Sequence, residues 1–204
     1  MNKALSVKTL LGDYPVTLPL KKGEVRSPSV SFDFADVKTP STAFKRVVRN
    51  LEFDCAELAI VTFLMAKAHG KPLVLLPAVV MARFQHPRIV YNAERGFLAP
   101  ADLAGRRVGT RSYTVTTSTW LRGILANDYG VDLDRVKWVT FEEAHVAEFR
   151  DPPSVERAAK GKELVAMLLA GEIDAAILPA VPDDPRLKPG ARSTALCRSI
   201  TWWW

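Results

Sequence analysis

Along the first eighty residues, short apolar runs are separated by turn residues at intervals too brief for long helices. "LSVKTLLG" alternates imperfectly and predicts a strand ended by the turn residues of "GDYP". "VSFDFADV" alternates apolar with polar positions and predicts a second strand. "TPSTAFKRVVRN" supplies a Ser or Thr cap followed by helical spacing. "FDCAELAIVTFLMAKAHG" begins extended and continues as an apolar helix over Glu57 to Ala68, closed by Gly70. "PLVLLPAVV" then reads as a β-type run after a proline. The order β, β, α, β, α, β suits an α/β lobe with a largely parallel sheet.

A second unit begins near His86. "RIVYNA" and "RVGTR" predict strands on either side of a short helix in "APADLAGR". "TTSTWLRGILANDYG" predicts a helix with several hydroxyl residues able to cap it and a glycine at its end. "RVKWVTF" is a strand, "AAKGKELVAMLLAGE" a helix and "IDAAILPA" a strand. These patterns divide the chain into a first α/β lobe over 1–82, a second over 83–182, and a tail over 183–204. The tail carries prolines at 182, 185 and 189 around its start and ends in three tryptophans, Trp202 to Trp204. It shows no period and is expected to be irregular.

Composition narrows the partners. The net charge of +6 is spread over dispersed Lys and Arg, with no dense basic stripe or reader motif, so nucleic acid is not expected. Cys55, Cys197 and three scattered histidines give no zinc-ligand spacing, so no metal is expected. The N-terminus has no apolar signal-like core and no apolar stretch is long enough to span a bilayer, which predicts a cytoplasmic protein with no membrane contact.

Three groups of residues carry candidate chemistry. "GTRSYTVTTSTWLRGIL" places seven hydroxyl side chains between Ser112 and Thr119, at the start of a helix. Helix starts leave backbone N–H groups unpaired and bear partial positive charge, so they accept carboxylates. Thr116 and Thr117 would add donors, Arg122 a fork, and Tyr113 and Trp120 a planar wall. The plainer alternative is that the hydroxyls cap the helix and Trp120 belongs to the core. The second group is Arg83, His86 and Arg88, where the first unit gives way to the second; its alternative is a solvated linker. The third is Glu57 at a strand-to-helix junction, which otherwise complements a helix dipole.

The segments "GDYPVTLPLKKGEV", "FDCAELAIVTFLMAKAHGKPLVLLP", "ARFQHPRIVYN", "PADLAGRRVGTRSYTVTTSTWLRGIL" and "LLAGEIDAAILP" together resemble the 4,5-dihydroxyphthalate decarboxylases. The resemblance runs from about Leu5 to Pro182. It implies a type II periplasmic-binding-protein-like α/β fold, two lobes enclosing one ligand cleft. It also implies a longer chain, so the tail reads as a frameshift or truncation near Val181 that leaves the first lobe incomplete and prone to self-association as a homo-oligomer.

The implied activity is removal of one carboxylate of an aromatic dicarboxylate as carbon dioxide, with no cofactor. For such a reaction we expect Arg83 and Arg122 to clamp carboxylates, with Tyr113, Thr116, Thr117 and Trp120 also contacting substrate, a division of roles that the resemblance does not itself fix. His86 donates the proton, since imidazole titrates near neutral pH. Glu57 orients His86 or accepts from the catechol hydroxyls. The competing readings are a non-catalytic binding protein for a small organic anion and an inactive remnant of the enzyme.

Overall fold

A computed structural model describes residues 4–190. Cys197 and Trp202 to Trp204, on which part of the tail expectation fell, lie outside them. The chain forms two compact units, one of residues 1–82 with 145–148, the other of 83–144 with 149–204.

The first unit holds a three-stranded parallel sheet in the order β2-β1-β3: β1 Leu5–Leu10, β2 Val30–Phe34 and β3 Cys55–Ala56. A single turn of helix, α1 (Leu18–Lys21), follows β1. Helices α2 (Phe44–Asn50) and α3 (Ile60–Ala68) supply the rest of the core. Leu10, Val47, Val48, Phe53 and Ala66 pack together there with Val146. Val146 arrives on the short segment His145–Glu148, a passage with no signature in the hydrophobic pattern. That segment is fastened at several points. The His145 Nδ1 lies 2.8 Å from the Thr62 hydroxyl, Arg49 Nε donates to the His145 carbonyl at 2.8 Å, and Lys71 pairs with Glu148 at 2.6 Å.

Two predicted elements of this unit differ. The helix expected from Glu57 starts at Ile60, because the Glu57 N–H still donates to the Leu10 carbonyl at 2.9 Å and extends the ladder between β3 and β1. The strand expected over "PLVLLPAVV" does not form. Pro72 and Pro77 remove two ladder donors from that run, and Val74 and Val79 stand 87% and 81% exposed.

The second unit is a six-stranded mixed sheet, order β7-β6-β5-β8-β4-β9. Its strands are β4 Ile89–Asn92, β5 Arg107–Thr110, β6 Lys137–Thr140, β7 Val155–Arg157, β8 Ala175–Ile177 and β9 Leu187–Pro189. β7, β6, β5 and β8 are mutually parallel, and β4 runs against both β8 and β9. Helix α4 (Thr116–Tyr129) follows β5 and α5 (Leu164–Ala170) precedes β8.

Strand side chains alternate between faces, and the two cores follow that alternation. Ile89, Val108, Trp138 and Ile177 pack with Leu121 and Leu125 of α4. Val90, Val139 and Ala176 pack with Met167 and Leu168 of α5. Gly109 permits the close approach on the α5 side: a Cβ there would meet side-chain carbons of Ile173 and Leu164 at 2.5 Å. The result is an α/β/α sandwich.

The expected irregular tail is corrected over Leu187–Pro189, which forms the edge strand β9 with Leu187 buried. Proline is tolerated there because an edge strand can turn its missing donor outward. Strand β7, three residues long, was too short to show a period.

Candidate functional site

In α/β sheets ligands gather outside the carboxyl ends of the strands. In the second unit that edge is defined by the register Thr110↔Ile177 and Thr110↔Thr140. The hydroxyl loop leaves from β5 at this edge, and Leu178 and Pro179 leave from β8 beside it.

The loop is tightly built. Ser112, Thr114 and Ser118 are buried, and the Ser118 hydroxyl pairs with that of Thr110, tying the first turn of α4 to the end of β5. The helix N-cap is Val115, in an extended conformation and without a side-chain cap, so the hydroxyls do not cap α4 as the sequence suggested. A helix start of this kind carries partial positive charge. Trp120 is 57% exposed and outside the core, while Tyr113 packs edge-on against buried Trp138 with centroids 6.2 Å apart.

Arg122 serves the loop itself. One terminal nitrogen donates to the Tyr113 carbonyl at 2.5 Å and the other to the Thr119 hydroxyl at 3.4 Å, with the guanidinium carbon 3.8 Å from the Tyr113 ring centre. Burial pushes this guanidinium below its ordinary value, and the neighbouring Tyr113 and Asp151 pull it back upward. Its fork is occupied by a carbonyl, a hydroxyl and an aromatic face.

The segment Arg83–Arg88 stands at the same sheet edge. Arg83 donates to the Pro179 carbonyl at 3.1 Å, and the Arg88 carbonyl accepts from the Leu178 N–H at 2.9 Å. His86 lies in a 3-10 turn, His86–Arg88, that leads into β4. Its Nε2 is 3.9 Å from Asp128 Oδ2. Asp128 is in the last turn of α4, about 18 Å of helix rise from Thr116. Arg83, His86 and Arg122 thus each have a different partner: the Pro179 carbonyl, Asp128 and the Tyr113 carbonyl. His86 faces the last turn of α4, and the hydroxyl loop leads into its first.

Glu57 belongs to the first unit, at the carboxyl edge of its sheet, where the register is Leu10↔Ala56. Its Oε2 accepts from the Gly12 N–H at 2.7 Å and its Oε1 from the Tyr14 hydroxyl at 2.8 Å. It thus fastens the loop after β1, aided by Thr17, which donates to the Gly12 carbonyl at 2.6 Å. Burial, then the Glu57 hydrogen bond and charge, push the Tyr14 phenol up to about 12.

The Tyr14 pair gives a pH prediction. A phenol whose folded pKa lies above its unfolded value contributes stability that is complete below about pH 10 and is lost as pH rises through about 12. Phenolate absorbance should show one of the four tyrosines ionising late, and Glu57→Gln should bring that midpoint down. An unchanged titration would remove Glu57 as the cause.

Sequence reasoning left Gly12, Tyr14 and Asp128 out of the site. The "GDYP" turn was the available signal for the first two; nothing local marked Asp128.

The two α/β units belong to the type II periplasmic-binding-protein class. Residues 39–151 match the family described as "NMT1/THI5 like". Two solved binding proteins share the fold. The periplasmic aliphatic sulphonate binding protein SsuA from Escherichia coli superposes with a TM-score of 0.60 at 16% identity, covering 96% of this chain and 62% of its own. The alkanesulfonate-binding protein SsuA from Xanthomonas axonopodis pv. citri, bound to MOPS, gives 0.56 at 17%, covering 87% and 55%.

The chain belongs to the NMT1/THI5-like family, on the branch of the 4,5-dihydroxyphthalate decarboxylases. It is 32% identical over 190 residues to the 4,5-dihydroxyphthalate decarboxylase of Pseudomonas putida, covering 89% of this chain and 73% of that one. It is 29% identical over 192 residues to the protein of that name from Comamonas testosteroni, covering 87% of this chain and 56% of its relative.

Proposed function

We propose that this protein catalyses cofactor-independent decarboxylation of an aromatic dicarboxylate, with 4,5-dihydroxyphthalate going to 3,4-dihydroxybenzoate. The 32% identity to the Pseudomonas putida decarboxylase over most of both chains carries this reading. The polar groups on Arg83–Arg88 support it chemically.

In the reaction the ring carbon bearing the departing carboxylate takes a proton while the para hydroxyl pushes electron density into the ring. The C–C bond to the carboxylate then breaks, carbon dioxide leaves, and the bonding pair returns to the ring to restore aromaticity. The protein must hold the carboxylates and deliver one proton. Arg83 suits the first task, with a guanidinium anchored at the sheet edge by one nitrogen. His86 suits the second, as an imidazole only 13% exposed and beside a carboxylate. Arg122 and Tyr113 shape the hydroxyl loop, and Thr116, Thr117 and Trp120 lie in the first turns of α4.

The test is direct. Incubated with 4,5-dihydroxyphthalate, the 204-residue chain is expected to release carbon dioxide and 3,4-dihydroxybenzoate at a rate insensitive to chelators. Saturable binding without product would favour the anion-binding reading, and chelator-sensitive turnover would sink the cofactor-free scheme.

A further inference from the structure

Among the described residues, seven buried side-chain polar atoms lack a hydrogen-bond partner. Four of them fall on one short turn: Gln85 Oε1, both ring nitrogens of His86, and Arg88 Nε. Buried polar atoms are almost always paired, and a cluster of exceptions calls for a physical reason. The main chain does not supply one, since it is fixed by ordinary bonds: the Arg88 N–H donates to the Gln85 carbonyl and the Arg88 carbonyl accepts from Leu178, both well formed. The Gln85 amide nitrogen donates to the Arg83 carbonyl, which leaves its oxygen pointing elsewhere.

The charges are equally lopsided. Neither Arg83 nor Arg88 has a carboxylate within ion-pair distance among the described residues, and the carboxylate facing this turn, Asp128, is next to His86. Burial, and then the positive charge of Arg88, push Arg83 below its ordinary value. Arg83 and Arg88 lie five positions apart on one segment with no acid of their own, an arrangement that an anion joining them would relieve. Guanidinium forks match carboxylates in geometry as well as charge.

We propose that Arg88, to which the family resemblance assigned no role, is a substrate-binding residue that joins Arg83 in a two-guanidinium clamp for the adjacent carboxylates of a benzenedicarboxylate. This rests on the reading that the substrate is such a dianion. Gln85 Oε1, an acceptor in the same turn, suits a hydroxyl or protonated group and would disfavour a carboxylate placed on it.

The probes are phthalate, which has both carboxylates and no hydroxyl to drive decarboxylation, and benzoate, which has one carboxylate. Binding to the full chain is measured by calorimetry, with circular dichroism as the check on folding. Wild type should bind phthalate more tightly than benzoate. Arg88→Met should weaken phthalate about 10- to 100-fold and narrow the preference over benzoate. Arg88→Lys, which keeps the charge and loses the fork, should fall between them and stands in if the methionine variant does not fold.

Phthalate affinity unchanged in both variants overturns the clamp, as does a wild type that binds neither acid. Failure of the enzymatic reading looks different: Arg88-dependent phthalate binding with no carbon dioxide from 4,5-dihydroxyphthalate leaves the clamp standing and removes the decarboxylase.

Discussion

His86→Gln is expected to lower turnover of 4,5-dihydroxyphthalate by about 10²- to 10⁴-fold, the usual worth of a positioned acid or base, with KM changed by less than about threefold. Glutamine is close to imidazole in size and keeps hydrogen-bonding capacity, but it cannot carry a proton to a ring carbon. The imidazole is mostly buried in the turn before β4, with Asp128 as its charged neighbour and neither ring nitrogen hydrogen-bonded among the described residues. A group placed in that way makes no hydrogen bond that the fold would lose with it. Steady-state kinetics on the variant separate the roles. Equal losses in kcat and in affinity would mark His86 as a positioning residue, and unchanged kinetics would move the proton donor elsewhere.

Trp138→Ala should cost about 3–5 kcal/mol of stability, read as a lower urea midpoint for the second unit. Trp138 is 2% exposed and lies in the core that joins β4, β5, β6 and β8 to α4. It is also the floor of the hydroxyl loop. Tyr113 stands edge-on to it, and the Arg122 guanidinium carbon is 5.8 Å from its ring centre. The deletion should therefore loosen the loop as well as the core, and amide exchange at residues 111–119 should quicken along with that of β5 and β6. A stability loss under about 1 kcal/mol would mean that the surrounding side chains collapse into the space, and a loop still protected would show that it is held by Thr110, Ser118 and Arg122 alone.

What the sequence made legible was local. Helix α4 was readable because Leu121 and Leu125 recur one turn apart and Gly130 sits just past its end in the left-handed conformation, φ 64°. Strands β5 and β6 were readable because "RVGT" and "KWVT" carry β-forming residues between turn signals. The family was readable from particular segments such as "FDCAEL" and "TSTWLRGIL", and relatives with the same name bear it out.

The rest depends on partners distant in sequence. Glu57 reads as a helix-start carboxylate until the fold brings Gly12 and Tyr14 to it, across 45 and 43 positions. Arg122 reads as a free fork until Tyr113, nine positions earlier, takes it by carbonyl and ring. "PLVLLPAVV" has the composition of a strand, but a strand exists only if a neighbour accepts it, and composition does not report the neighbour. Burial is likewise invisible in the sequence: that Gln85, His86 and Arg88 hide polar atoms is a property of what packs over them.

The segment His145–Glu148 has a consequence for the order of events during synthesis. The first unit is discontinuous in the chain: its core needs Val146, and the Thr62–His145 contact spans 83 positions. While the ribosome makes residues 83–144, the first eighty-odd residues are already free to collapse, yet lack the piece that fills their centre. Long-range closure of this kind slows folding, because the entropy of the intervening loop is lost before the contact repays it. The first unit thus reaches its final packing only after three of the second unit's six strands have been synthesised. For part of its birth the protein carries an open apolar core, the period when chaperones or self-association would meet it first.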